Sequence, residues 1–191
     1  VYAPLHNPAN AVGIRAARKV FGGVPHIAVF DTAFHQTMPE YAYRYGIPYD
    51  LADQHGIRRY GFHGQSHQYV SQRTAILLGR PLRDLKLVSC HIGSGTSIAA
   101  ILHGRSIDTS MGMTPLQGVI MGTRSGTMDP AIVEFLMERE QLDFKAIVDL
   151  LNRRSGLLGL SGISGDIRDL EAAAAKGHQR ARLALDVHVY Q

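Results

Sequence analysis

Three side chains of unlike type, Asp31, His63 and Arg124, carry the chemistry this sequence could do. Asp31 follows an apolar run, Ile27 to Phe30, that reads as a buried strand, and the polar tract Thr32 to Pro39 then takes the chain away. A carboxylate delivered by a core strand is held rigidly and faces a cleft, as a catalytic group must be. An aspartate there serves equally as a turn or cap residue. His63 lies in Gly61-Phe62-His63-Gly64-Gln65-Ser66-His67, beside an aromatic at a helix start, placed either to donate to a substrate oxygen or to cap and pack. His63 and His67 have metal-ligand spacing, but without a third ligand or adjacent carboxylate they do not make a zinc site. Arg124 sits among small residues in Gly122-Thr123-Arg124-Ser125-Gly126, a loop able to bring a guanidinium onto developing phosphoryl charge or to leave it in solvent.

Two further segments suit an anionic ligand. In His91-Ile92-Gly93-Ser94-Gly95, paired glycines remove the Cβ atoms that keep a phosphate from backbone N–H groups, and Ser94 adds a hydroxyl. An ordinary hairpin turn has the same composition, and the run is neither a Walker A loop nor a GxGxxG fingerprint. Asp108 to Pro115 clusters hydroxyls in a cleft wall or a plain turn. In Ser161 to Arg168 a polar turn opens a helix, and the residues alone favour Asp166 as its N-cap.

These groups need elements to hold them. A helix is predicted over 9–20, closed by Gly22-Gly23, and the strand ending at Asp31 follows. Residues 38–60 read as short helices and loops, and Ser66 as the cap of a helix running to Leu78, stopped by Gly79 and Pro81. The period then changes. Leu85 to Cys90, Ser97 to Leu102 and Arg105 to Asp108 read as strands, the last two joined by a tight turn at His103-Gly104. Asp129-Pro130 starts a helix with Ile132, Val133, Phe135 and Leu136 inward, and Asp143 starts another carrying Phe144, Ile147, Val148 and Leu151. Gly156 and Gly159 are expected to break the chain before alanine-rich helices finish it. Hairpins followed by helices indicate an α/β layered domain.

Bulk properties narrow the class. A chain of 191 residues fits one domain, or one plus part of another. A hydrophobic content of 45% with 19% charged residues suits a globular core, and no apolar run is long enough to span a bilayer. The net charge of +4 is dispersed, without interleaved aromatics, which fits small anionic ligands better than nucleic acid. The single cysteine, Cys90, excludes a disulfide scaffold and points to a reducing, cytoplasmic setting. The sequence opens without an initiator Met and stops inside a helical pattern, so an internal piece of a longer polypeptide is expected.

Taken together, the runs VFDTAFHQTMP (29–39), RRYGFHGQSH (58–67), HIGSG (91–95), DTSMGMTPLQG (108–118), MGTRSGTMDP (121–130) and SGLLGLSGISGDIRDL (155–170) closely resemble the acetate kinase family, the acetokinases. The resemblance covers essentially the whole chain, in order and spacing. It implies the acetate and sugar kinase, Hsp70, actin superfold (ribonuclease H-like), with ATP between two related α/β domains. Residues 1–33 would finish the first domain, and 34–191 would form most of the second, the nucleotide-binding domain. It implies reversible phosphoryl transfer between ATP and acetate with Mg²⁺, giving acetyl phosphate and ADP, in a cytoplasmic homodimer with no nucleic-acid or membrane partner. By the same resemblance Asp31 is the active-site aspartate, and His63 and Arg124 stabilise the transition state. His91, Ile92, Gly93, Ser94 and Gly95 form the nucleotide phosphate turn, and Asp166, Ile167 and Arg168 the adenosine side. His6 is a further cleft histidine, and Leu5, Phe62 and Pro115 form the pocket for the acyl methyl.

The sequence departs from the family pattern at Ser94, usually Asn, at Gln65, usually Thr, and at Gln117, usually Glu. The family's N-terminal phosphate turn and acyl-binding arginine fall before Val1, and its magnesium-associated glutamate after Gln191, so no direct metal ligand is expected within these residues and the isolated piece is expected to be inactive. Propionate kinase is the neighbouring expectation, because one methylene is worth only about 1–3 kcal/mol of discrimination. A non-enzymatic nucleotide-binding module of the superfold is a separate class, as fold does not fix function. The retention of Asp31, His63 and Arg124 together argues against it.

Overall fold

The computed structural model describes residues 7–191, so the expectations for Leu5 and His6 lie outside the described residues. Three antiparallel strands, β1 (Lys86–Ile92), β2 (Thr96–Leu102) and β3 (Arg105–Thr109), form a sheet in the order β1-β2-β3. His103 and Gly104 take positive φ, 53° and 79°, as the two-residue β2–β3 turn demands. The period of two puts Leu87, Ser89 and His91 on one face of β1, while Lys86, Val88, Cys90 and Ile92 face out. Ser89 pairs with Ala99 and His91 with Ser97, so Ser97, Ala99 and Ile101 share that inner face.

The described helices are α1 (Asn7–Val20), α2 (Glu40–Tyr43), α3 (Tyr49–His55), α4 (Gly64–Leu77), α5 (Ala131–Glu140), α6 (Phe144–Arg153), α7 (Gly156–Ser161), α8 (Ile167–Ala175) and α9 (Gln179–Tyr190), of which α4 packs on β1 and α2 on β3. The stripe that α4 buries is Gly64, His67, Ser71 and Ala75, spaced three or four apart, and it packs on β1. Small residues let helix and sheet approach closely, and His67 is the only large side chain in the stripe. A 3-10 turn, Ala33–Thr37, lies against β3 and α4. A separate apolar cluster of Ile120, Leu157, Leu170, Ala181 and Ala184 ties α7, α8 and α9 together. Asp143 accepts from the Ala146 amide and Asp166 from the Arg168 amide, so both are the N-caps expected of them.

Four expectations are corrected. Residues 25–30 have no regular secondary structure and pair with no strand among the described residues, and Ile27, Val29 and Phe30 are exposed. A β-conformation counts as a strand only when another strand satisfies its N–H and C=O groups. Ser66 is not a cap: α4 begins at Gly64, with His63 before it in the left-handed region (φ 57°) and its amide donating to Asp31. Gly156 and Gly159 do not break the chain; both lie in α7, which Gly156 opens with φ +61°. On α5, Ile132 and Phe135 are exposed rather than inward, because among the described residues α5 packs on little except α6. Cys90, in the apolar strand pattern, points outward and is exposed.

Candidate active site

Asp31, His63 and Arg124 are brought together, although they come from a turn, a helix entrance and a loop. The Asp31 carboxylate accepts the His63 amide at 2.7 Å, and the Asp31 carbonyl accepts the Gly64 amide at 2.8 Å. One exposed residue thereby takes two of the amides at the α4 N-terminus, where the helix dipole favours an anion. From the other side, a Cβ built on Gly95 would lie 3.3 Å from Arg124 Nη1 and 3.4 Å from His63 Nε2. The imidazole and the guanidinium therefore face each other across the glycine turn that follows β1.

The Arg124 loop is held by backbone. Amides at the start of α7 donate to it, Leu157 to the Met121 carbonyl and Leu158 to that of Gly122, both at 2.9 Å, and Ser155 donates to Thr123. The Arg124 side chain is half-buried and donates from Nη1 to the Pro115 carbonyl at 3.2 Å. Burial lowers its pKa from the usual arginine value, which leaves it a cation at neutral pH. Gly122 donates to the Ser94 carbonyl at 3.3 Å and touches Gly165, where a Cβ would meet the Gly122 carbonyl at 2.6 Å. That approach closes a cleft of 730 Å³ lined by Ile92, Gly93, Ser94, Arg124, Asp166 and Arg168, among others. The Arg168 guanidinium bonded to Asp166 holds that carboxyl down at about 2.

His63 is neutral at physiological pH. Burial, and after it the positive charge His91 could carry, lower its pKa to about 4. His91 stacks on it with ring centroids 4.0 Å apart and is itself fixed by Nδ1 to Ser66 Oγ at 2.8 Å. His63 Nδ1 contacts Ser97 Oγ at 2.8 Å, and the fully buried His67 contacts the same oxygen through Nε2 at 2.7 Å. His67 Nδ1 continues to Ser89 Oγ at 2.9 Å, and burial lowers this histidine also to about 4. His35, buried beside His67, bonds Ser106 Oγ and the Phe62 carbonyl, and burial lowers its pKa too. Phe62 packs with Met111 and Met121 in a small apolar cluster under the Arg124 loop.

Of the predicted site residues, the structure brings together Asp31, His63, Arg124, His91 and Gly95. Ile92, Gly93, Ser94, Asp166, Ile167 and Arg168 share the adjoining cleft, and Phe62 and Pro115 lie against the Arg124 loop. Sequence reasoning missed His35, Ser66, Ser89, Ser97 and Ser106. Their one signal is parity, since Ser89 and Ser97 interrupt apolar strands at positions that must point inward.

Comparison with known proteins gives the family and the fold. The Acetokinase family profile matches residues 1–191. Acetate kinase of Heliobacterium modesticaldum is 61% identical over 189 residues, covering 99% of this chain and 48% of that protein. The crystal structure of Porphyromonas gingivalis acetate kinase superposes with a TM-score of 0.92 at 51% identity, over 98% of this chain and 47% of its own. A propionate kinase from Francisella tularensis gives a TM-score of 0.92 at 48% identity, over 97% and 47%. The chain thus spans about half the length of the relatives it matches. Its α/β architecture is that of the acetate and sugar kinase, Hsp70, actin fold, and the chain belongs to the acetokinase family.

Proposed function

We propose that the protein containing this chain transfers the γ-phosphoryl group of ATP to acetate, reversibly, giving acetyl phosphate and ADP. The observation that carries this reading is the meeting of Arg124 and neutral His63 at Gly95, with Asp31 bound to the His63 amide, beside the cleft that reaches Asp166 and Arg168.

Acetate is already ionised at pH 7, so its carboxylate oxygen attacks without a base. The barrier lies in bringing one anion up to another and stabilising charge on the equatorial phosphoryl oxygens. Arg124 supplies the positive charge and a planar donor fork, while neutral His63 supplies a hydrogen bond without a second charge. Asp31, tied to the α4 amides, orients the acceptor side instead of taking a proton. Its single exposed carboxylate suits a water in the shell of an Mg²⁺ that substrate phosphates would chiefly hold. Bound there, Mg²⁺ would neutralise phosphate charge. Asp166, Ile167 and Arg168 serve the adenosine end, His91 to Gly95 the phosphates, and Phe62 and Pro115, with Leu5 and His6, the acyl end.

On this reading residues 1–33 complete one domain and 34–191 belong to the nucleotide-binding domain of a cytoplasmic homodimer. Among the described residues no helix is long and apolar enough to cross a membrane. The test is acetyl phosphate formation by the full-length protein containing this chain, with kcat/KM compared for acetate, propionate and butyrate. Preference for propionate would transfer the reading to a propionate kinase. ATP binding without transfer to any of the three would overturn it.

A further inference from the structure

We propose that Ser97 is a positioning residue: its hydroxyl, shared between His63 and His67, fixes the His63 tautomer so that Nε2–H faces the cleft. The inference rests on the kinase reading for its direction, but the coupling itself rests on geometry.

Ser97 is fully buried on β2, and its Oγ lies 2.8 Å from His63 Nδ1 and 2.7 Å from His67 Nε2. A hydroxyl has one proton, so it donates to one of these nitrogens and must accept from the other. The two rings cannot choose tautomers independently. His67 Nδ1 meets Ser89 Oγ at 2.9 Å, which extends the constraint by one more group. With both rings neutral, two arrangements satisfy the chain. In the first, Ser89 donates to His67 Nδ1, His67 Nε2–H donates to Ser97, and Ser97 donates to His63 Nδ1, leaving a proton on His63 Nε2. In the second every bond is reversed, and His63 Nε2 presents a lone pair.

The cleft decides between them. His63 Nε2 lies beside Gly95, on the side that Arg124 Nη1 also faces. Phosphoryl and carboxylate oxygens only accept, so a lone pair there would repel both substrates while the first arrangement donates to them. The other groups facing His63 are His91, Asp31 and His35, and none of them takes over its Nδ1. Buried partners that fix a histidine tautomer are a known second layer of catalytic sites.

The experiment is long-range ¹H–¹⁵N spectroscopy of histidine-labelled full-length protein at pH 7.5, with acetyl phosphate formation measured on the same samples. The expected result is His63 protonated at Nε2 only. Ser97→Ala should give mixed His63 tautomers and a fall in kcat on the order of tenfold, with KM for ATP little changed. Should Ser97→Ala fail to fold, His67→Gln keeps an amide donor toward Ser97 and should retain the Nε2–H signal, whereas His67→Leu should lose it. A wild-type spectrum showing Nδ1–H in an active kinase overturns the inference and leaves the kinase reading standing. An unaltered His63 signal and kcat in a folded Ser97→Ala, or in His67→Leu, overturns it too. The Nε2–H signal in a protein that transfers no phosphoryl group would remove the kinase reading and with it the reason for this tautomer.

Discussion

Gly95→Ala adds one methyl group at the point where His63 and Arg124 meet. The built Cβ lies 3.3 Å from Arg124 Nη1 and 3.4 Å from His63 Cε1 and Nε2, slightly inside ordinary contact. Gly95 has no positive φ, so alanine adopts its backbone without strain. The neighbours need give only a few tenths of an ångström, and the stiffer unfolded chain returns roughly 0.4–1 kcal/mol, so stability should hardly change. Catalysis should change a great deal. The methyl fills the gap in which a phosphoryl oxygen would have to reach both donors, displacing it by about 1 Å, and misplacement on that scale costs about 10²-fold in rate, or about 2.7 kcal/mol of barrier. The assay is kcat for acetyl phosphate formation with a melting temperature, in the full-length protein. Gly46→Ala, whose Cβ meets nothing within 4 Å, is the control. A folded Gly95→Ala enzyme within threefold of wild type would refute the claim that these two side chains act on one group at this spot.

Arg124→Ala should lower kcat on the order of 10³-fold with little change in ATP affinity, since it removes charge stabilisation special to the transition state; steady-state kinetics with ATP titration would show it. Gly156→Ala should destabilise by about 2–4 kcal/mol in urea unfolding, because the residue has φ +61° and its Cβ would sit 2.1 Å from the Met121 carbonyl oxygen. Stability should also fall as pH drops from about 6.5 toward 4. His63 and His67 have folded pKa values of about 4 against 6.5 unfolded, so the unfolded chain binds more protons in that window. The stability is complete above 6.5 and lost as pH falls through 4, and His67, fully buried, accounts for up to about 3 kcal/mol of it. A urea midpoint that stays flat between pH 7 and 5, or falls equally in His67→Gln, would contradict that account.

How far the sequence alone reaches depends on whether a signal is local. The β2–β3 hairpin was legible because two positive-φ residues mark its turn, and the Asp143 and Asp166 caps because a short carboxylate before a helical run bonds within its own first turn. Ile27 to Phe30 misleads for the opposite reason. Apolar, β-prone residues state a preference for extension, but a strand needs a partner, and none lies among the described residues. The meeting of Asp31, His63 and Arg124 was expected from family resemblance and not from periodicity, since no pattern rule joins residues so far apart. The serines between the histidines stayed hidden, because a polar residue at inward parity looks like a flaw in a core until its partner on α4 is seen.

That polar layer keeps His63 a neutral group beside the Arg124 cation. A charged His63 would face the Arg124 guanidinium across Gly95, where like charges in a half-buried site repel. Neutrality removes this repulsion and lets the imidazole approach the guanidinium across a single glycine. It also transfers the demand from charge to direction, because a neutral imidazole helps an anion only if its proton is on the correct nitrogen. The sheet, through Ser97 on β2, supplies that direction, while α7 supplies the position of the Arg124 loop. The Gly122 amide bound to the Ser94 carbonyl joins these two layers, so a change that moves the helices against the sheet should uncouple donor from charge without touching either side chain.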